Sequence, residues 1–593
     1  MTIKIKKNNS MNQYKRTKRK RTRRAYELIS QENAQTNAKQ TSTVIGTIWW
    51  RSINWEKVRL RVNKIQCAIY RNSSLGKTNL RMIKKLQRIL INSYDARLLA
   101  VRKVCQENKG RRSAGIDGIK NVNLDFRFLL THFLRPYGDS SAIRRVWILK
   151  NKTEMRPLGI PTIWDRCVQH LVLQALEPEW EAKFEANSFG FRPGRSCHDA
   201  VYAIEKYLRR CQYGCYVLDA DIRKCFDSIS HERILNQISH SDPFIVKQID
   251  AWLKAGILSE GEITYPDEGT PQGGIISPLL ANIALHGLEY IVQKYFNSPY
   301  LEQKAIDKRY LHVSPLVVRY ADDFVVLHQN RFAVTCIKAH IVEWLKNQGT
   351  GLELHDGKTK IVHTGDKIKN SGEPPGFDFL GFRFVHKIKS YGTLKNRRFY
   401  NLKVYVGEKG IKKHKENIKN IFKEGKSWSQ GRLIETLNSV IYGVCEYWKY
   451  TNQGRLFNLL DAFIFEQCLL WIKKRHKNKK SFDQLFRKYF QRYSEPYKGI
   501  TGAIGLNMVK KRPPVWRFMT SEWNHKLDKP KHLLGKYTYI CGKDASYTNP
   551  TIGRATPYDG ATQFWALKPE MEATQSISYL GMGNSQRRAR TYR

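Results

Sequence analysis

The chain has 593 residues, 41% hydrophobic and 12% aromatic, so it can form several folded domains and is too apolar for a disordered basic tail. Its 103 Lys and Arg against 52 Asp and Glu give a formal net charge of +51. Either a nucleic acid or an acidic membrane surface would neutralise that charge. No apolar run approaches the ~18 residues that span a bilayer, so a transmembrane protein is excluded and nucleic acid is the favoured partner.

The 11 cysteines are odd in number and scattered along the chain. The nearest pair, Cys211 and Cys215, is four residues apart, and no Cys-x-x-Cys motif occurs. This usage indicates neither a disulfide framework nor a zinc ribbon. A reducing compartment fits it best.

The first 40 residues are strongly basic. Residues 4–24 carry many Lys and Arg, no acid and no apolar core of the kind that a secretory signal needs. Three interpretations remain: an arm that binds phosphates, a nuclear-type address, or an organelle presequence. We favour a basic, disordered N-terminal arm over 1–40, because a presequence is typically poor in Lys and rich in Ser.

Two stretches near the start of the chain have helical spacing. Apolar residues recur every three or four positions from Trp49 to Ile69 and again from Leu80 to Leu90, with Arg and Lys between them. This pattern predicts amphipathic helices with basic outer faces. A Gly-rich basic loop, Lys109–Gly118, follows them.

The middle and the end of the chain differ in pattern. Over about 141–385, short apolar runs alternate with stretches of helical spacing, which predicts an α+β core. Strands are expected to fade beyond about Lys395, and the stripe from Leu433 to Trp448 predicts a helix in a basic bundle.

Two carboxylates stand together in Tyr320-Ala-Asp322-Asp323, inside a run of Val and Phe. This pattern predicts the tip of a hairpin between two buried strands. Adjacent carboxylates repel unless a cation shares them, and hard oxygen ligands suit Mg²⁺. An alternative for the tetrapeptide alone is a turn in which Asp only bends the chain.

A second set of acids lies in Val217–Asp227, where the apolar residues before Asp221 predict a buried strand that ends in an acid. Two-metal phosphoryl transfer needs oxygen ligands on both sides of a metal pair. We therefore assign Asp221 and Asp322 as metal ligands, with Asp323 as a further ligand or an outer contact. The remaining acids of this run, Asp219 and Asp227, are interpreted as structural or capping residues.

Seven segments, in this order, resemble those of reverse transcriptases, specifically the group II intron maturase family. They are Arg156–Arg166, Ser188–Ser196, Asp221 with Phe226, Gly269–Asn282, Tyr320–Asp323, Gly351–Thr359 and Phe377–Phe382. The order and spacing of so many segments leave little room for accident.

The resemblance implies an α+β right-hand polymerase. Fingers and palm, with an antiparallel palm sheet, are expected over 141–390, after a helical extension and the start of the fingers over 41–140. An all-α thumb, called domain X in this family, is expected over 391–485. A C-terminal nucleic-acid-binding region over 486–570 and a basic tail over 571–593 follow.

The resemblance also implies roles for single residues. Lys150 and Arg156 would bind the triphosphate of the incoming nucleotide, although both could be plain surface charges. Phe226 would exclude a 2′-hydroxyl, so that DNA is the product, or it is a core aromatic. Gln272 would hold the nascent base pair, or it belongs to a tight turn. Lys358 would protonate pyrophosphate or simply contact a phosphate.

The match is weaker after the core. The family pattern in this region resembles Leu-Asn-Pro-Ile-Ile-Arg-Gly-Trp. The corresponding residues of this chain, Leu437–Val444, lack the Pro, Arg and Trp of that pattern. Residues 555–560 and Phe564-Trp565 resemble the segment that follows domain X. An HNH endonuclease with paired Cys and His ligands often comes next in the family, but only Cys541 lies in this region, so we expect no such nuclease.

The sequence thus predicts a Mg²⁺-dependent RNA-directed DNA polymerase that also binds its group II intron RNA and assists splicing. Its other expected partners are template-primer, deoxynucleoside triphosphates and target DNA. One alternative is a splicing-only maturase with a decayed polymerase, against which the intact Asp221, Asp322, Asp323 and Gln272 argue. Another is a retron or diversity-generating reverse transcriptase. High Lys and Asn usage favours an organelle, with a bacterial cytoplasm as the alternative.

Overall fold

The computed structural model describes most of the chain between residues 44 and 534, together with a short C-terminal piece. The described ranges are 44–74, 79–149, 154–304, 310–347, 349–368, 373–389, 399–451, 453–476, 481–493, 515–520, 523–524, 529–530, 533–534 and 555–559. The predicted arm over 1–40, the tail over 571–593 and Lys150 lie outside these residues.

The described residues form two compact units. Unit 1 contains the chain up to Tyr207, then Cys215–His363 and the piece 555–559. Unit 2 contains Leu208–Gly214 and the described residues from Thr364 to 534. Each unit has its own apolar core.

Helices build the first part of unit 1. They are α1 (Val44–Ser52), α2 (Trp55–Ser74), α3 (Leu80–Asn92), α4 (Tyr94–Arg102), α5 (Leu124–Phe133) and α6 (Ile163–Glu181). In α3 the side chain of Asn79 caps the first turn, and Ile83, Leu90 and Ile91 are buried on one face, so the predicted amphipathic helices are confirmed. Most of α6 is buried, which makes it the central helix of the unit.

Among the described residues, eight further α-helices belong to unit 1 and its boundary. They are α7 (Cys197–Leu208), α8 (Cys225–Ser228), α9 (His231–Ile238), α10 (Pro243–Leu253), α11 (Ser277–Ala284), α12 (Leu288–Phe296), α13 (Pro299–Lys304) and α14 (Arg331–Asn347). Among the residues that the structure describes, no helix is both long enough and apolar enough to cross a membrane.

The strands of unit 1 form two four-stranded sheets. They are β1 (Ile143–Leu149), β2 (Met155–Ile160), β3 (Tyr216–Asp221), β4 (Ile257–Ser259), β5 (Glu262–Thr264), β6 (Leu316–Tyr320), β7 (Asp323–His328) and β8 (Lys360–His363). One sheet has the order β2-β1-β4-β5, with β1 and β4 parallel. The other has the order β6-β7-β3-β8 and is antiparallel throughout. The predicted α+β core is thus confirmed.

Unit 2 combines helices with short sheets. Its elements are β9 (Phe377–Phe379), β10 (Phe382–Lys389), β11 (Phe399–Val406), α15 (Glu408–Glu424), α16 (Gln430–Trp448), α17 (Gly454–Arg475), α18 (Phe482–Tyr489), β12 (Phe490–Tyr493), β13 (Val515–Phe518), β14 (Trp523–Asn524) and β15 (Lys529–Pro530). In α16 the residues Leu433, Leu437 and Ile441 are buried on one face, as the helical stripe predicts.

The prediction that strands end near Lys395 is wrong. Strand β11 pairs with β10 along its whole length, so the range 391–485 begins with a strand and is not all helical. Val404 and Val406 are buried in β11 while Lys403 and Tyr405 alternate with them. This is the two-residue period of a half-buried strand, and the sequence carries it too, because Leu402, Val404 and Val406 alternate with more polar residues.

The C-terminal piece 555–559 packs within unit 1. The hydroxyl of Tyr558 donates a hydrogen bond to Oε2 of Glu177 on α6 at 2.5 Å. Burial raises the pKa of Glu177 to about 7, although the bond from Tyr558 opposes this shift. A segment that follows unit 2 in the sequence therefore contributes to the core of unit 1.

Candidate active site

A hairpin of buried strands carries the two adjacent acids. Strands β6 and β7 pair with Tyr320 opposite Asp323, so only Ala321 and Asp322 form the turn. Val317 and Phe324 are buried on these strands. The predicted hairpin is therefore confirmed, and its tip holds the carboxylates. We call β6, the turn and β7 the acidic hairpin.

Strand β3 brings the third acid to the same end of the sheet. Its last residue, Asp221, lies opposite Asp323 in the antiparallel pairing of β3 with β7. Asp322 occupies the adjoining turn. The structure thus brings together the three residues that the sequence predicts as metal ligands.

Burial and neighbouring negative charge raise the pKa values of Asp322 and Asp323. Partial desolvation and then the charge of Asp221 raise the pKa of Asp322. Desolvation, followed by the charges of Asp322 and Asp221, raises the pKa of Asp323 to about 6. Burial and the neighbouring carboxylates thus both disfavour the ionised forms of Asp322 and Asp323.

Lys358 supplies a cation at this site. Its Nζ atom lies 2.5 Å from Oδ2 of Asp221, and this hydrogen bond raises the pKa of Lys358. The lysine side chain is 54% exposed, so the pair is open to solvent. A solvent-accessible pair of this kind can exchange its cation for another.

A neighbouring loop fixes the position of the acidic hairpin. The backbone N–H of Phe189 donates to the carbonyl of Arg319 in β6 at 2.8 Å. Asn282 on α11 donates to the carbonyl of Gly190 at 2.8 Å and accepts from Arg319 at 2.9 Å. These bonds connect the loop, α11 and β6 directly beside the acidic turn.

The backbone of Gly190 lies against the turn. A Cβ atom at this position would lie 2.3 Å from the backbone nitrogen of Ala321, which no side chain tolerates. Farther along the loop, Arg192 forms a buried ion pair with Glu181 at 2.8 Å. The loop is thus held at Phe189 and at Arg192, and Gly190 between them contacts the hairpin.

Gln272 lies between two elements of unit 1. Its carbonyl accepts a hydrogen bond from the N–H of Gly159 in β2 at 2.6 Å. Its side-chain Nε2 donates to Oδ2 of Asp227 at 3.1 Å. Burial raises the pKa values of Asp227 and Asp322, and the charge of Arg156, which is exposed on the same strand β2, opposes that rise. Of the predicted nucleotide ligands, Arg156 therefore acts electrostatically on Asp322, and Gln272 contacts Asp227.

Phe226 is half-buried in α8, five residues beyond Asp221. Its ring centroid lies 6.2 Å from that of Phe191, with the two planes at 75°. This edge-to-face arrangement is one that aromatic pairs prefer.

Three residues near the acids have a strained backbone, and the sequence indicated no role for any of them. Their φ angles are positive: +60° at Phe191, +44° at Lys224 and +60° at Ala321. Residues other than glycine seldom adopt this backbone region. Phe191 is also 52% exposed. Such strain costs about 1–3 kcal/mol for each residue and concentrates at functional sites. No residue type in the sequence signalled it, because neither Gly nor Asn stands at these positions.

A cleft of about 520 Å³ opens beside Gln272. Arg145 and Lys224 line it with positive charge, and Trp147 and Tyr265 line it with aromatic surface. Cations of this kind bind phosphates, and aromatic rings stack on bases, so the lining of the cleft suits a nucleotide.

The acids suit a metal that takes part of its coordination from elsewhere. Within the described ranges, no three or more His, Cys, Asp or Glu side chains are grouped closely enough to hold a metal ion alone. Mg²⁺ does not require such a cage, because it keeps several waters and binds through one or two carboxylates together with substrate phosphates. Asp221 and Asp322 fit that donor set.

Three family descriptions match successive parts of the chain. They are "N-terminal domain of reverse transcriptase" over 50–134, "Reverse transcriptase (RNA-dependent DNA polymerase)" over 148–384, and "Group II intron, maturase-specific domain" over 411–490. The chain has a reverse transcriptase fold and belongs to the group II intron reverse transcriptase and maturase family. The resemblance found in the sequence is thereby confirmed.

Individual relatives agree with this assignment. The chain is 32% identical to protein YkfC of Escherichia coli over 52% of this chain and 86% of that protein. It is 31% identical to the group II intron-encoded protein LtrA of Lactococcus lactis over 43% of this chain and 48% of LtrA. It is 27% identical to a 91 kDa protein in the cob intron of Schizosaccharomyces pombe, over 63% of this chain and 52% of that protein.

The chain therefore spans most of YkfC but only about half the length of LtrA and of the yeast protein. A solved telomerase structure from Candida albicans overlaps with 59% of the chain at 11% identity and a TM-score of 0.33, a likeness too low to support a conclusion.

Proposed function

We propose that this chain is a group II intron-encoded RNA-directed DNA polymerase that binds its intron RNA, assists splicing and copies the RNA into DNA for intron mobility. The register of β3 and β7 carries the proposal, because it sets Asp221 opposite Asp323 with Asp322 in the adjoining turn. Carboxylates clustered at the end of a buried sheet destabilise a fold unless a cation binds between them.

Asp221 and Asp322 would hold Mg²⁺, with Asp323 as a third ligand or as a neighbour of the other two. Bound Mg²⁺ would lower the pKa of the attacking primer hydroxyl and neutralise charge on the phosphates. The raised pKa values of Asp322 and Asp323 support this assignment, because a divalent cation would relieve the repulsion that contributes to them.

The triphosphate of a deoxynucleotide would bind to Arg156 and Lys150. Arg156 is exposed on β2 and acts electrostatically on Asp322, which supports its part in this role. The role of Lys150 rests on the sequence alone. When the primer hydroxyl attacks the α-phosphate, pyrophosphate leaves, and Lys358 would contact it or donate a proton to it.

Phe226 and Gln272 would select the nucleotide. The ring of Phe226 is held edge-to-face against Phe191, so it has little freedom to move away from a 2′-hydroxyl. This restriction favours deoxynucleotides over ribonucleotides. Gln272, bonded to both β2 and α8, is suited to contact the nascent base pair.

In the right-hand architecture, unit 1 would contribute the fingers and palm, and α15–α17 would contribute the thumb. Helix α15 supports this assignment: Ile418 and Phe422 are buried on one face, while Lys412, Lys419 and Lys423 are exposed on the other. Exposed lysines along a helix bind the phosphates of RNA or of a template-primer duplex. Target DNA would be bound by the region over 486–570.

The compartment is inferred from composition. The relatives come from bacteria and a fungus, so their sources do not distinguish an organelle from a bacterial cytoplasm. We propose an organelle because of the high Lys and Asn usage.

Primer extension on poly(rA)/oligo(dT) with Mg²⁺ tests the proposal. Wild type is compared with Asp322→Ala and with Asp378→Ala, a matched control whose acid pairs with Arg383 at 3.1 Å in unit 2. All three are purified at high salt to remove RNA from the basic surface. We expect synthesis by wild type and Asp378→Ala, and a loss of roughly a thousandfold in Asp322→Ala, with RNA binding unchanged.

The alternative function gives a different result. A folded wild-type protein that binds RNA but makes no DNA would favour a splicing-only maturase. Full synthesis by Asp322→Ala would instead contradict the assignment of the acidic hairpin.

A further inference from the structure

Asp227 contacts a residue of the proposed nucleotide site without a role in the chemistry proposed above. It lies in α8, directly after Phe226. Its Oδ2 atom accepts a hydrogen bond from Nε2 of Gln272 at 3.1 Å. The two residues are 45 positions apart in the sequence, so the contact depends on the fold.

The carboxylate determines which way the amide of Gln272 points. An ionised carboxylate only accepts hydrogen bonds, whereas an amide has a donor end and an acceptor end. Nε2 of Gln272 must therefore face Asp227, and Oε1 faces away from it. Without this partner the amide could rotate and exchange its two ends.

The backbones of the two segments are joined beside this contact. The N–H of Thr270 donates to the carbonyl of Phe226 at 2.6 Å, and the N–H of Gly269 donates to that of Ile229 at 2.7 Å. A Cβ atom on Gly269 would lie 2.6 Å from the carbonyl oxygen of Asp227. The distance between the two segments is thus fixed, so the side-chain bond orients the amide rather than holding the loop.

Asp227 also lies among cations. Arg145 and Lys224 line the same cleft as Asp227 and Gln272, and both act on the Asp227 carboxylate. An acid that serves only to neutralise these cations would need no particular partner. The bond to Gln272 gives this acid a specific geometric task.

We propose that Asp227 is a positioning residue that orients the Gln272 amide for the incoming deoxynucleotide. The inference rests on the proposed function, because it assigns to Gln272 a contact with the nucleotide. This role adds a contribution to nucleotide affinity to the interpretation of Asp227 as a capping or structural acid.

A double-mutant cycle tests this role. The affinity for dTTP is measured by equilibrium binding to the complex of protein, poly(rA) and dideoxy-terminated oligo(dT), and KM and kcat are measured with an extendable primer. Asp227→Ala should weaken dTTP binding and raise KM about tenfold, the typical effect of losing a hydrogen bond to a charged group, with kcat nearly unchanged. Asp227→Asn should restore wild-type values, since its Oδ1 still accepts from Gln272.

The cycle is completed in a Gln272→Ala background. There, adding Asp227→Ala should have no further effect, because the amide that Asp227 orients is gone. Effects that multiply, or a failure of Asp227→Asn to restore affinity, would overturn the proposal.

A second cycle uses side chains of unchanged size, so it does not depend on the folding of Asp227→Ala. Gln272→Glu places a second carboxylate beside that of Asp227 and should weaken dTTP binding. Adding Asp227→Asn should recover part of the lost affinity, because asparagine can donate a hydrogen bond to the new carboxylate. No recovery would contradict the positioning role. An inactive wild type that still binds dTTP in the expected pattern would overturn the proposed polymerase alone, and the two failures are therefore distinguishable.

Discussion

Two hairpins in the molecule have turns of the same length but different chemistry. In the acidic hairpin of unit 1, Ala321 and Asp322 connect β6 to β7. In unit 2, Leu380 and Gly381 connect β9 to β10, and we call this the second hairpin. Each turn therefore consists of two residues.

The turns differ in how well their residues suit the backbone. Leu380 and Gly381 both have positive φ angles, +49° and +76°, so glycine fills one of the two left-handed positions. In the acidic hairpin, Ala321 has a φ of +60° and no glycine is present. The glycine instead stands at position 190, across the contact with Ala321.

This difference shows where the fold accepts strain. The second hairpin has a residue that favours its turn, whereas the acidic hairpin is held in shape by the loop pressed against it. A turn that depends on its surroundings keeps Asp322 fixed relative to Asp221 and Asp323. If the turn did not depend on the loop, nothing outside it would restrain the position of Asp322 relative to the other two acids.

The contact at Gly190 gives the largest expected effect. Gly190→Ala places a Cβ 2.3 Å from the nitrogen of Ala321, so the hairpin must move. We expect primer extension to fall about a hundredfold, because displacements of ~1 Å at a reacting centre have this effect. RNA binding should be retained.

Gly454→Ala, at the start of α17, is the matched control, because a Cβ there meets no atom within 4 Å. It should leave synthesis unchanged. Equal activity in Gly190→Ala and wild type would show that the acidic hairpin does not depend on the loop.

Ala321→Gly sharpens the comparison, because it gives the acidic hairpin a residue that suits its turn. Relief of left-handed strain and the larger backbone entropy of glycine nearly cancel, so the free energy of unfolding should change by less than about 1 kcal/mol. Synthesis should nevertheless fall several-fold, because the turn becomes mobile. Thermal unfolding and primer extension on the same preparation measure both quantities, and a variant more active than wild type would contradict the account.

The smallest effect is expected in the second hairpin. Leu380→Asn creates an Asn-Gly turn, the preferred pair where both positions are left-handed, and should stabilise unit 2 by up to about 1 kcal/mol. Synthesis should not change, because this turn presents no proposed catalytic group. A loss of synthesis comparable to that of Ala321→Gly would remove the distinction between the two hairpins.

Local patterns predicted much of the fold. Apolar residues on both sides of Asp322 and Asp323 predicted the acidic hairpin, and helical spacing predicted α3 and α16. The order of the seven segments predicted the family. These features depend on residues that are close in sequence or on motifs with a fixed order.

Tertiary contacts between distant residues were not predictable in this way. The bond between Tyr558 and Glu177 joins residues 381 positions apart, and nothing near either residue indicates its partner. The bond between Gln272 and Asp227 and the contact of Gly190 with Ala321 have the same character. Strand β11 was missed for a different reason, since its one short run of alternating residues stands directly before the long helical stretch of α15.

The central claim is that Asp221 and Asp322 bind the metal that drives DNA synthesis, and metal-directed cleavage tests it most directly. Fe²⁺ replaces Mg²⁺ in the complex with template-primer and dTTP. Added hydrogen peroxide then oxidises the bound Fe²⁺, and the hydroxyl radicals formed cut the polypeptide near the ion. We expect cuts close to Asp221 and Asp322 in wild type and in Asp378→Asn, and none at these positions in Asp322→Asn. Cleavage that persists in Asp322→Asn, or that falls elsewhere in the wild-type chain, would contradict the account.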